Sequence, residues 1–327
     1  MRNIIWSFAL SFALTALSGL FLLPALRKLK FGQSIREDGP HWHMGKSGTP
    51  TMGGLMFILG VTVCTAALGW PLMSQGQITH LLILAFAWIY GGIGFLDDFF
   101  KVSKHRNLGL SALSKLILQL TSATALLTLI LHLGYSSASI SIPSIGVDIP
   151  LPLLVFLIPA VIYTTGFVNA VNLTDGIDGL CSGVTLPVTL FFAVLCAHRE
   201  QTGAALCAAA LAGGVAGFLL YNFHPARVFM GDTGSLFLGG ALCGLAFAAR
   251  TPLLLVPVGF FYLLEMFSVI AQVLYFKATH GRRLFRMSPI HHHFEMGGWS
   301  EKRIFYVFTL LTLVVCSFML WLEWSIK

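Results

Sequence analysis

The sequence predicts an all-α polytopic membrane protein, and three observations predict it. Of 327 residues, 56% are hydrophobic and only 10% are charged, whereas soluble domains carry roughly a quarter charged residues. The apolar residues gather into ten runs, each close to the roughly 20 residues that cross a bilayer. Lys and Arg fall in the connections or at the ends of the runs, and mostly at alternate ones.

The runs cover about 4–25, 52–69, 78–96, 113–133, 151–171, 180–197, 203–221, 235–250, 253–276 and 304–324. The first resembles a signal peptide only superficially: its apolar stretch is long, no A-x-A site follows, and its basic cluster comes after it. It is a first spanning helix. The third, Ile78 to Leu96, runs 19 residues without a formal charge and stops on Asp97-Asp98. The eighth is short and the ninth long, with Pro252 and Pro257 placed to bend that region. Between the fourth and fifth, Ser139 to Leu151 alternates with Pro and Gly breaks and predicts a small hairpin. Six cysteines (Cys64, Cys181, Cys196, Cys207, Cys243, Cys316) lie in or beside apolar runs with no C-x-x-C pair, and read as small hydrophobes. No repeat of 20–50 residues is visible, so residues 1–327 are expected to form a single integral-membrane domain.

Orientation follows from the basic residues. The odd-to-even connections hold sixteen of the twenty Lys and Arg; Arg2, Arg199, Arg250 and Lys327 are on the other side. The positive-inside rule then predicts both termini outside, a periplasmic hairpin and five cytoplasmic loops. The net charge of +7 reads as a topology signal and a means of holding headgroups or phosphates, not as a nucleic-acid-binding surface. Nine of thirteen acidic residues join the cytoplasmic side: Glu37, Asp38, Asp97, Asp98, Asp175, Asp178, Asp232, Glu295 and Glu301. Glu265 falls inside the ninth run, where an interhelical contact or the edge of a helix break is expected.

Four further stretches carry chemistry. Lys46 to Gly54 (K-S-G-T-P-T-M-G-G) opens the second run, and its glycines, hydroxyls and Lys suit an anion at a helix start or tight helix packing. Asn172 to Gly179 (N-L-T-D-G-I-D-G) sets Asp175 and Asp178 at i, i+3 in a polar turn. Asn222 to Ser235 contains Phe229 beside Asp232 in a Gly-flanked turn. Ser288 to Glu295 (S-P-I-H-H-H-F-E) follows Arg282, Arg283 and Arg286; consecutive histidines cannot all ligate one zinc, so phosphate contact fits better. Asp97 and Asp98 are either a solvated helix end or a landing place for a hard cation such as Mg²⁺. Being about 100° apart on a helix, they suit two different roles. Acidic and basic turns on one face point to metal-assisted phosphoryl transfer.

These motifs, with Gly94 to Lys101 (G-F-L-D-D-F-F-K) and Phe229 to Ser235 (F-M-G-D-T-G-S), resemble the polyprenyl-phosphate N-acetylhexosamine-1-phosphate transferases. They are most similar to the phospho-N-acetylmuramoyl-pentapeptide transferase branch. The resemblance implies ten transmembrane helices, a homodimer in the bacterial inner membrane, a cytoplasmic-face active site and Mg²⁺. It implies UDP-MurNAc-pentapeptide and undecaprenyl phosphate as substrates, with lipid I and UMP as products in peptidoglycan synthesis. By position it implies Asp97, Asp98, Asp232 and His291 as catalytic residues, Asp232 as the Mg²⁺ ligand and Asp97 and Asp98 as further candidate ligands. Lys46, Asp178, Asn222 and Phe229 would line the nucleoside pocket, with Phe229 stacking on uracil. Lys101, Lys115, Asn172, Asp175, Gly176, His292 and His293 would be further substrate-binding positions. The family's ninth helix is broken, its outer part splayed into the membrane. Direct in-line attack is the expected mechanism and a phospho-aspartate the competing one. Two other functions compete: a sister transferase using another UDP-sugar, and a cation-coupled transporter, which would place its carboxylates near the midplane.

Overall fold

The computed structural model describes residues 2–28, 46, 48–103, 109–142 and 146–325. Among these, ten helices are long and apolar enough to span a membrane. They are α1 (Arg2–Lys28), α2 (Gly54–Met73), α3 (Thr79–Ser103), α4 (Ala112–His132), α5 (Leu153–Thr174), α6 (Leu180–His198), α7 (Thr202–Asn222), α8 (Gly231–Ala248), α10 (Phe260–Ala278) and α12 (Glu301–Ser325). Two short helices, α9 (Leu255–Val258) and α11 (Ile290–Glu295), and a hairpin of β1 (Ser139–Ile142) and β2 (Val147–Pro150) complete the chain. The hairpin pairs antiparallel, Ser139 opposite Pro150, as the Pro and Gly breaks predict. All six cysteines are buried and free.

Composition decides which helices sit inside. α7 and α8, rich in Ala and Gly, have 83% and 89% of their apolar windows buried, against 28% for α1, α4, α10 and α12, and α6 joins them at 78% with fewer small residues. Small residues let backbones approach, which in lipid replaces the hydrophobic drive that packs soluble helices. The same device seats α1: its only buried stripe begins Ser7, Ser11, Thr15 and Gly19, and Ser7 Oγ donates to the Leu206 carbonyl of α7 at 2.8 Å.

Three boundaries differ from the sequence reading, each with a physical reason. The apolar run at 78–96 ends at Asp97, but the helix continues to Ser103. A carboxylate ends hydrophobicity without breaking a helix, so Asp97, Asp98 and Lys101 share the last two turns of α3. Both aspartates are buried, at 3% exposure, so the solvated helix end is excluded. α8 starts at Gly231, ahead of the expected 235, which puts Asp232 in its first turn. The ninth run is broken: a 3-10 turn at Pro252–Leu254 and α9 are separated from α10 by Gly259. The part that stands exposed on every side is the C-terminal end of α10, residues 273–278, adjoining the loop that holds the histidines. The basic residues Lys30, Arg36, Lys104, Arg106 and Lys327, with Ser47, Glu37 and Asp38, lie outside the described residues.

The contact between α3 and α8 positions the aspartates. A methyl group built on Gly94 would lie 2.1 Å from the Asp232 carbonyl oxygen, so only glycine permits the two backbones to meet there. Replacing Gly94 with Val overpacks this contact, at a cost of about 1–3 kcal/mol. The expected result is a lower melting temperature in detergent and loss of activity, whereas Gly92→Val, at a glycine with open space around it, leaves the melting temperature within error.

Candidate active site

Three carboxylates and two ammonium groups meet where α3, α4 and α8 come together. Asp97, Asp98 and Asp232 each bring an oxygen to within 4.8 Å of the others. Lys101 Nζ lies 2.6 Å from Asp97 Oδ2 and 3.0 Å from Asp232 Oδ2. Lys115, from the first turn of α4, places Nζ 2.6 Å from the same Asp232 oxygen. Asn172, near the end of α5, donates to Asp232 Oδ1 at 3.0 Å and to Ser235 Oγ at 2.8 Å. The backbone assists: Leu110 N–H donates to Asp97 Oδ1, and Thr233 donates its N–H and hydroxyl to Asp98 Oδ2 at 2.8 and 2.7 Å. Carboxylates this close repel one another, and the two ammonium groups offset that repulsion.

The donor set fits a hard divalent cation. Every convergent acceptor is a carboxylate oxygen, and neither Cys nor His takes part, which suits Mg²⁺ better than a soft metal. Three negative charges against two positive ones leave the cluster net anionic.

A second acidic group lies on the neighbouring loops. Lys46 Nζ is 2.8 Å from Asp178 Oδ1 and 2.6 Å from a Glu301 carboxylate oxygen. Asp178 Oδ2 also accepts from the Ala226 N–H at 2.9 Å and lies 3.0 Å from His224 Nδ1. The ammonium of Lys46 sits between these carboxylates, so the cluster is an ion-pair network tying four segments together. Phe229 is held beside it by a short ladder: its N–H donates to the Pro50 carbonyl and its carbonyl accepts from Gly53, both at 2.8 Å. Asn222 is buried, donating to the Val228 carbonyl at 3.0 Å and accepting from Ser182, so it braces the Phe229 loop.

The histidines form one turn of helix and point different ways. His291 Nδ1 lies 3.0 Å from Glu265 Oε2, His292 Nδ1 lies 2.6 Å from Glu295 Oε2, and His293 Nδ1 accepts from the Arg286 N–H. A shared zinc site is thereby excluded. The Arg286 side chain donates to the Met296 carbonyl at the end of α11. His291 presses against the polar turn after α5: a methyl group on Gly176 would lie 2.2 Å from its Nε2. The adjacent Asp175 has its carboxyl pushed well above the usual range, first by burial and then by the charges of Asp232, Asp98 and Asp178. This one turn therefore borders the carboxylate triad, the Asp178 network and His291. Sequence reading missed Glu301 and His224 as members of the site and left the partner of Glu265 open.

Comparison with known proteins identifies the family. Residues 80–250 match glycosyl transferase family 4, and residues 46–58 match the phospho-N-acetylmuramoyl-pentapeptide-transferase signature 1. A phospho-N-acetylmuramoyl-pentapeptide-transferase of Desulforamulus reducens is 48% identical over 95% of this chain and 93% of its own length. One from Pelotomaculum thermopropionicum is 47% identical over 97% of both, and one from Listeria monocytogenes 43% identical over 92% of both. The chain belongs to the phospho-N-acetylmuramoyl-pentapeptide-transferase family. For a member of that family, the signature segment is the one that brings Lys46 to Asp178 and Pro50 to Phe229.

The raised Asp175 value makes a prediction for the phospho-N-acetylmuramoyl-pentapeptide-transferase fold without bound metal. An unfolded Asp ionises near about 3.9. The folded protein keeps a proton that the unfolded chain releases, so the contribution of Asp175 to stability is complete below about pH 4 and falls as pH rises towards the folded value. Asp175→Asn removes that loss. In EDTA, the melting temperature of the variant relative to the parent should be unchanged near pH 4 and increasingly higher towards pH 7. A difference that is flat with pH refutes the assignment.

Proposed function

We propose that this enzyme transfers phospho-MurNAc-pentapeptide from UDP-MurNAc-pentapeptide to undecaprenyl phosphate in the bacterial inner membrane, giving lipid I and UMP. The observation that carries the reading is the convergence of Asp97, Asp98, Asp232, Lys101, Lys115 and His291 around the Asp175–Gly176 turn, in a chain that matches its relatives nearly end to end. Sixteen basic residues in the odd-to-even connections support a cytoplasmic face for this site, with the hairpin and both termini outside. The single hydrophobic cluster running from Leu23 to Cys316 supports one domain, and the family resemblance extends the reading to a homodimer.

The reaction exchanges one phosphoanhydride for another, so positioning and electrostatics supply most of the rate. Bound Mg²⁺ would be held by Asp232 with Asp97 and Asp98, and would neutralise charge on the diphosphate. Lys101 and Lys115, which bridge the aspartates, are placed to contact phosphate oxygens. Lys46, Asp178 and Phe229 receive the nucleoside end, and Asn222 supports Phe229. His291 presents Nε2 towards the diphosphate. Asp98 has one oxygen fully engaged by Thr233, which suits an orienting role. A separate base is scarcely needed, because a phosphate monoester is already largely dianionic at pH 7. Direct in-line attack by the lipid phosphate on the β-phosphate follows.

Purified protein given Mg²⁺, undecaprenyl phosphate and UDP-MurNAc-pentapeptide should release UMP, and should release none with UDP-N-acetylglucosamine. EDTA should abolish release, and Asp232→Asn should lower it by about a hundredfold or more. Incubation with radiolabelled sugar nucleotide alone should leave the protein unlabelled; a labelled aspartate would establish the two-step route instead.

A further inference from the structure

We propose that Glu265 is the positioning residue of the active site: its carboxylate sets the tautomer and the aim of His291. The inference rests on the reading of His291 given above and deepens it.

Glu265 lies on α10, inside an apolar run, and is fully buried, as is His291. A carboxylate in such a place is costly unless a donor meets it. Here two donors do. Glu265 Oε2 lies 3.0 Å from His291 Nδ1 and 3.3 Å from the His291 backbone nitrogen. The His291 backbone N–H can only donate, which makes Oε2 an acceptor; we assign the facing Nδ1 as the second donor, and the nitrogen left for chemistry is Nε2. Nε2 is buried and has no hydrogen-bond partner among the described residues. It faces Gly176, where a side chain would collide with it, and the next residue along that turn is Asp175, beside the triad.

The rest of the same helix face shows that α10 holds the whole loop. Glu265, Ser268 and Gln272 are its buried polar residues. Gln272 Oε1 accepts from the N–H groups of Leu284 and Phe285 at 3.1 and 2.8 Å, at the start of the histidine loop. Glu265, two turns away, grips the loop again at His291. Gln272 thus anchors the backbone, whereas Glu265 alone contacts an imidazole. A neutral side chain at 265 would satisfy packing but would not hold Nδ1–H with a charge-assisted bond.

The test pairs Glu265→Gln with His291→Ala. Glu265→Gln should lower kcat about tenfold or more, the scale at which partners behind a ligand histidine act. The KM for both substrates and the melting temperature should stay close to the parent values. In the His291→Ala background the same change should cost less than twofold, since residues acting as one unit are not additive. Equal losses in both backgrounds, or Glu265→Gln at the parent rate while His291→Ala is inactive, overturn the inference alone. His291→Ala at the parent rate overturns the site reading, and the inference with it. Should Glu265→Gln fail to fold, ¹⁵N-histidine spectra of the parent decide, with the His291 signal identified by its loss in His291→Ala. A proton on Nδ1 supports the proposal, and a bare Nδ1 with Nε2–H defeats it.

Discussion

Everything at the reactive end of the bundle depends on three carboxylates being held within reach of one another. Left to themselves, Asp97, Asp98 and Asp232 would separate, because like charges at a few ångströms repel and burial deepens the penalty. Two features prevent it. Gly94 lets α3 meet the α8 backbone at Asp232, so the separation is set by packing. Lys101 and Lys115 then share Asp232 Oδ2 and balance most of the charge. Removing one lysine would leave a partly buried carboxylate uncompensated, the situation in which breaking an ion pair costs most. The cluster keeps an excess of negative charge that a divalent cation would offset, and a diphosphate could share the lysines only together with such a cation.

Close backbone approach recurs through the bundle interior, between the fully buried rings of residues such as Tyr90, Phe57, Phe218 and Phe237. α7 and α8 are the most buried helices and the ones richest in Gly and Ala. Close backbone approach makes a stiff frame from dispersion contacts, and a stiff frame can hold charges where flexible helices would part. The outer helices have a different task. α10 is mostly exposed, yet two residues of its buried face, Glu265 and Gln272, grip the histidine loop, and His291 meets the turn after α5.

The sequence made one layer of this legible and hid another. Ten spans, the hairpin and the polar turns are written in local composition, because hydrophobicity and turn chemistry act over a few residues. The end of an apolar run is less informative: α3 keeps hydrogen bonding for two turns past Leu96 because aspartate stops hydrophobicity and leaves the helix intact. Least visible were the long-range pairs. Lys46 meets Glu301 across 255 residues and His291 meets Glu265 across 26, and nothing in the flanking residues announces either. Composition marked Glu265 as an oddity; only the fold supplied its partner.

The two acidic clusters divide labour by what neutralises them. In the network of Asp178, Glu301, Lys46 and His224, the ammonium lies between the carboxylates and is short to both, so the charges are satisfied within the protein. Such a network ties the loop before α2, the turn after α5, the loop after α7 and the start of α12 into one block. In the triad, the lysines lie to one side of Asp232, three acids face two bases, and Asp98 has only a distant ammonium, at 3.8 Å. That imbalance is the physical difference between a charge cluster that locks loops together and one that draws a cation. The Asp175–Gly176 turn lies between the two clusters.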